Sequence, residues 1–116
     1  MRSLWLLALG LAAFGGREGN FTIRFEPKAV LQTDAQIPFE ISVLNDLKQT
    51  LHEAKVTMQI ETKDNHHVMT YKAPEVTAGL YLAKPIFPEA GEWSISVEVH
   101  RSDQVSTRTL EYTVPK

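Results

Sequence analysis

Alternation of apolar and polar residues at every second position is the feature that most constrains this chain. In Glu92 to His100 the residues Trp93, Ile95, Val97 and Val99 alternate with Glu92, Ser94, Ser96 and Glu98. Side chains point to opposite faces of a strand at successive positions, so this run reads as a strand with one buried face. The pattern repeats. Ile37 to Leu44 sets Ile37, Phe39, Ile41 and Val43 against Glu40 and Ser42, and Lys55 to Thr62 sets Val56, Met58 and Ile60 against Thr57, Gln59 and Glu61. Shorter strands are expected at Thr22 to Glu26 (stopped by Pro27), His67 to Tyr71 and Leu80 to Pro85, and a last one runs from Val105 to Val114. No stretch has the 3.6-residue period of an amphipathic helix, so a βαβ arrangement is excluded. About seven short strands punctuated by turn residues are the signature of an all-β, immunoglobulin-like β-sandwich, with Trp93 at the centre of its core.

The first residues follow a different rule. Met1 and Arg2 precede an apolar run from Leu4 to Phe14, and Gly15 and Gly16 follow. That order of basic start, apolar stretch and small residues is the layout of a secretory signal peptide, with Ala13 and Gly15 placed for cleavage. The run falls short of the roughly 20 residues that span a bilayer as a helix. The expectation is a leader over 1–16, an exported domain over 17–116 and a periplasmic or extracellular location. An uncleaved anchor or a buried N-terminal strand are the alternatives. The chain has no Cys to carry a lipid, so no lipid anchor is evident, and the core must hold without disulfides. About 100 residues suffice for that. A net charge of −2, with no cluster of Lys or Arg, argues against nucleic acid as a partner.

Three segments carry a family resemblance: Gly79-Leu80-Tyr81-Leu82-Ala83, Phe87-Pro88-Glu89-Ala90-Gly91-Glu92-Trp93-Ser94-Ile95-Ser96-Val97, and Ala54-Lys55-Val56-Thr57-Met58-Gln59-Ile60. Together they resemble the YtkA-like family, related to the FixH proteins of bacteria, over roughly Phe25 to Val114. The resemblance implies an exported bacterial immunoglobulin-like domain, often held at a membrane. Relatives are linked to copper handling or to assembly of respiratory oxidases, so the implied partner is a membrane or envelope metalloprotein. The motif residues also have structural roles: Gly79 and Gly91 suit turns that need positive φ, and Tyr81 and Trp93 suit the core.

The residues with metal-ligand chemistry are His66, His67 and Met69. Imidazole and thioether together suit copper. A hairpin across Lys63 to His66 pairs Thr62 with His67 and Ile60 with Met69. That register places Met69 on the core face beside Met58 and Ile60, with His67 at the open end of the same face and His66 pointing the other way. The competing reading makes both methionines core fillers and both histidines solvated. His52 and His100 belong at the opposite pole, because an eight-residue strand spans roughly 26 Å. Two histidines alone make a poor metal site. Catalysis has no visible support. His52-Glu53 lacks the second histidine of a zinc-protease motif, and there is no Gly-x-Ser-x-Gly elbow and no Cys nucleophile. The expected function is therefore non-catalytic. It is either copper handling or support of metalloprotein assembly in the envelope, or else a pure interaction module docking through an edge strand or loops.

Overall fold

The computed structural model describes residues 17–64 and 66–116; the expected leader over 1–16 lies outside the described residues. Every regular element among them is a strand: β1 (Arg17–Glu18), β2 (Thr22–Pro27), β3 (Phe39–Leu44), β4 (Lys55–Thr62), β5 (Val68–Lys72), β6 (Glu75–Thr77), β7 (Leu80–Ala83), β8 (Gly91–Arg101) and β9 (Gln104–Val114). They form two sheets, one in the order β1-β9-β8-β4-β5 and the other β2-β3-β7-β6. All pairings are antiparallel except the short β1 alongside β9. The second sheet matches the A-B-E-D order of an immunoglobulin constant domain, and β9-β8-β4 matches its G-F-C sheet, with β5 added beyond β4. The fold is an immunoglobulin-like β-sandwich.

All seven expected strands are present, and two more stand beside them. The two residues of β1 and the three of β6 are too short to show alternation, so only their partners define them. Three expected boundaries move inward, one of them the start of β5, which begins at Val68 and not at His67. Ile37 is buried, yet it precedes β3 because Pro38 has no N–H for a ladder. Its own N–H goes instead to the Pro85 carbonyl at 3.0 Å, outside β7, which stops at Ala83.

Trp93, Ile95, Val97 and Val99 of β8 are each fully buried, as are Met58 and Ile60 of β4 and Phe39, Ile41 and Val43 of β3. Burying side chains of this size contributes about 1.5–3 kcal/mol apiece, which makes the facing sheets the main source of stability. The Trp93 ring meets Phe87 edge-on at 5.3 Å, and its Nε1 donates to the Glu89 carbonyl at 3.1 Å. Tyr81 is also fully buried, but its hydroxyl donates to the Leu51 carbonyl at 2.7 Å and accepts from the Ala54 N–H at 3.1 Å. One side chain of β7 thereby ties down the long β3–β4 loop. Among the described residues no buried side-chain nitrogen or oxygen lacks a partner, so the core contains no polar vacancy that could serve as a site.

The sandwich is closed along one side by side chains. Arg108 of β9 donates to the Ile23 carbonyl of β2 at 2.7 Å, and the Phe21 N–H reaches Ser106 Oγ at 3.3 Å. On the other side the chain steps from one sheet to the other through Ala73 and Pro74, where Ala73 N–H bonds Val56 O at 2.9 Å and Leu82 N–H bonds Pro74 O at 3.0 Å. Function has to be sought at the poles and at the edges that these seams leave uncovered.

Candidate functional site

The β4–β5 hairpin carries the residues with ligand chemistry, and its register decides where each one points. Ile60 pairs with Met69 and Glu61 with Val68, while Thr62 N–H bonds the His67 carbonyl at 3.1 Å. The expected register is the observed one. Met69 faces the core with Ile60 and is half-buried, and the Tyr71 hydroxyl lies 3.8 Å from its sulfur. His67 is exposed at the open end of that face, and its N–H donates to Thr62 Oγ1 at 2.9 Å.

His66 goes elsewhere. It adopts φ 54°, a left-handed conformation that swings its ring away from the core face. Its Nδ1 lies 2.8 Å from Glu61 Oε2, on a side chain that is 75% exposed. Glu61 alternates outward with Gln59 and Thr57, so His66 is held on the outer face of the sheet while Met69 lies on the inner one. The structure brings His67 and Met69 to one side of the strand and leaves His66 on the other. No group of three or more His, Cys, Asp or Glu among the described residues converges on a point that could hold a metal.

At the far end of β4, Lys55 pairs with His100, whereas Thr62 pairs with Trp93. His52 and His100 therefore sit at the opposite pole from His66 and His67. His100 Nε2 contacts Glu98 Oε1 at 3.1 Å, a neighbour on its own strand, and His52 lies in the electrostatic field of Glu75. The Glu75 carboxylate accepts the Gly79 N–H at 2.8 Å and the Glu53 N–H at 2.9 Å. Those two bonds, in that order, hold its pKa below the ordinary carboxylate value.

The free edge of β5 is a feature that reading by residue type missed. In an antiparallel ladder, residues bonded to the partner strand alternate with residues whose backbone groups point away from it. The bonds Thr62 N–H to His67 O and Ala73 N–H to Val56 O fix the parity: 67, 69, 71 and 73 turn toward β4. Val68, Thr70 and Lys72 consequently direct their N–H and C=O groups outward, on the terminal strand of the five-stranded sheet. Their side chains are exposed as well, Val68 at 45%. The other outer strands are better defended. β6 has three residues and a register shift, β2 ends in Pro27, and β9 is covered in part by β1 and by its ties to β2. The signal was available in the sequence, since a hairpin register fixes which backbone groups face away, but only the sheet order shows that no other strand among the described residues lies beyond β5.

No family model matches this sequence, and no curated protein matches it either. Solved structures do resemble it. One is a module of the chitinase ChiW from Paenibacillus sp. str. FPU-7, a bacterial cell-surface-expressed multi-modular enzyme, with a TM-score of 0.61 at 16% identity over 87% of this chain. The match covers only 9% of that chain, so the present sequence is the size of one small part of it. Another is a DUF4426 family protein from Pseudomonas aeruginosa PAO1, with a TM-score of 0.59 at 17% identity over 84% of this chain and 93% of that one. At these identities the likeness is one of fold.

Proposed function

We propose that this domain is a non-catalytic interaction module of the cell envelope, which takes an extended segment of a partner protein onto the edge of β5. The carrying observation is the row of outward backbone groups at Val68, Thr70 and Lys72 on a terminal strand that is guarded only by its length of five residues and by Lys72 at its end. An added strand would satisfy both groups of each residue, at about 0.5–1.5 kcal/mol net per hydrogen bond. Val68 and Lys72 on the exposed face would select an apolar residue and an acidic one in the partner. The leader-like residues before position 17 and the resemblance to YtkA-like domains support an exported, periplasmic or extracellular setting. Peptides selected from a random display library against the folded domain test the reading. Selected peptides should perturb the amides of residues 68, 70 and 72 and lose binding to Thr70→Pro, which removes the central outward donor without touching the β4 ladder. Binders that leave those amides unmoved would end it.

One observation favours a second reading, in which the hairpin tip handles copper for an envelope metalloprotein such as a respiratory oxidase. Glu61 engages His66 Nδ1 and leaves Nε2 as the outward nitrogen, the arrangement by which carboxylates orient metal-binding imidazoles. His67 and Met69 lie on the other side of the strand, so the hairpin tip would have to rearrange for them to supply the remaining ligands. Titration with Cu(I) and Cu(II) decides the matter. Binding weaker than micromolar, or binding unchanged when His66, His67 and Met69 are all replaced by Ala, removes copper from the account.

A further inference from the structure

The pole that carries His52 and His100 holds a cavity of about 450 Å³ which neither reading of the hairpin uses. Three segments build it: the chain entering β2 (Asn20, Phe21), the β3–β4 loop (Asn45, Asp46, Leu51) and the β8–β9 turn (Arg101 to Gln104). In immunoglobulin-like topology the B–C and F–G loops meet at this same end, where variable domains place their binding loops. The volume lies within the range of about 300–1,000 Å³ common to small-molecule sites.

The walls are fixed before any ligand arrives. Asn45 Oδ1 accepts the N–H groups of Leu47 and Gln49, both at 2.9 Å, and Leu51 is held on both sides, by Val43 O through its N–H and by the Tyr81 hydroxyl through its carbonyl. Ser102 takes φ 56° in a tight two-residue turn between β8 and β9. The Phe21 N–H is anchored on Ser106. A preformed cavity is worth more to binding than a mobile cleft, because the ordering cost is met on folding.

We infer that this cavity is a binding site for a neutral saccharide ring. Leu51 and the half-buried Phe21 provide an apolar floor. Around it stand a guanidinium (Arg101), a carboxylate (Asp46), an amide (Asn20) and a second amide (Gln104), planar groups that each offer paired donors or acceptors to adjacent hydroxyls. Arg101 follows Val99 on the inward side of β8, and its charge acts on both Glu75 and Tyr81. Among the described residues it makes no ion pair within 4.0 Å, so its donors are available at the mouth of the core. Asp46 stands with this cation around the cavity, and Glu75 lies within its field. That balance disfavours phosphates and acidic sugars, and Arg101 disfavours amines. A ligand rich in hydroxyls, with an apolar ring face and no charge, meets every group.

The test is a heteronuclear NMR titration of the labelled domain with N-acetylglucosamine, cellobiose and maltose, run beside glucuronate and glucose 6-phosphate. At least one neutral sugar should shift the amides of Phe21, Leu51 and residues 101–104 at millimolar concentrations. Asp46→Ala, an exposed change that leaves the core intact, should weaken the binding about tenfold, and Arg101→Gln by a similar factor. Thr70→Pro at the β5 edge should leave it unchanged, which separates this site from the strand-addition reading. Three results each overturn the inference: no neutral sugar moving these amides, tighter binding of the charged sugars, or Asp46→Ala binding as well as the parent.

Discussion

Removing one oxygen from Tyr81 should destabilise this domain out of proportion to the size of the change. The phenol is fully buried, and its hydroxyl both donates to Leu51 O at 2.7 Å and accepts from Ala54 N–H at 3.1 Å. Tyr81→Phe keeps the ring and leaves no cavity, so the loss isolates the two hydrogen bonds. Each orphaned backbone group costs roughly 1–3 kcal/mol where water cannot replace the partner. Leu51 lines the polar cavity, which leaves room for water close to the vacated position. The expected loss is therefore about 2–4 kcal/mol, toward the lower end. For a domain of this size that corresponds to a fall in Tm on the order of 10–20 °C. Urea denaturation followed by Trp93 fluorescence measures the free energy, and hydrogen exchange at the Ala54 amide reports the local consequence. A change below about 0.5 kcal/mol, or full loss of stability with the Ala54 amide still protected, would show that the hydroxyl does not hold the β3–β4 loop.

Other expectations follow from the same geometry. Gly79→Ala should destabilise more than Gly91→Ala: both have positive φ (77° and 125°), but a Cβ at Gly79 would stand 2.5 Å from Thr50 Cβ while one at Gly91 meets nothing. Strain alone is worth roughly 1–3 kcal/mol, and the clash at Gly79 adds a similar amount, as paired thermal melts would reveal. Burial raises the pKa of Tyr81 and Tyr112 above the ordinary value of 10.0, so the neutral phenols are the stabilised form. Their contribution is complete below pH about 10 and is lost as pH climbs through the folded values, which equilibrium unfolding in alkali should show. Glu75 has the opposite sign: its depressed pKa adds stability above 4.5 that fades as pH falls, and Glu75→Gln should flatten that part of the acid limb. Trp93→Ala should cost about 3–5 kcal/mol, since the indole is wholly buried against Phe87; denaturation that leaves the midpoint unmoved would contradict the core assignment.

What could be read from the chain and what could not divide along the range of the interactions involved. Alternation is a property of neighbouring residues, and by itself it marks Trp93, Ile95, Val97, Val99, Met58 and Ile60 as core. Hairpin register is nearly as local, so the opposition of Ile60 and Met69, and the separation of His52 and His100 from His66 and His67, were legible as well. The conformation of His66 was not, because its positive φ and its bond to Glu61 belong to a loop whose path alternation does not specify. Nor could β1 and β6 be seen, being too short to show a period. The order of strands, which leaves β5 with an open edge, and the meeting of Asn20, Asp46 and Arg101 around one cavity depend on segments far apart in the chain. Side-chain pattern determines which face of a strand is buried; only the packing of sheet on sheet determines which strands end up alone and which loops end up together.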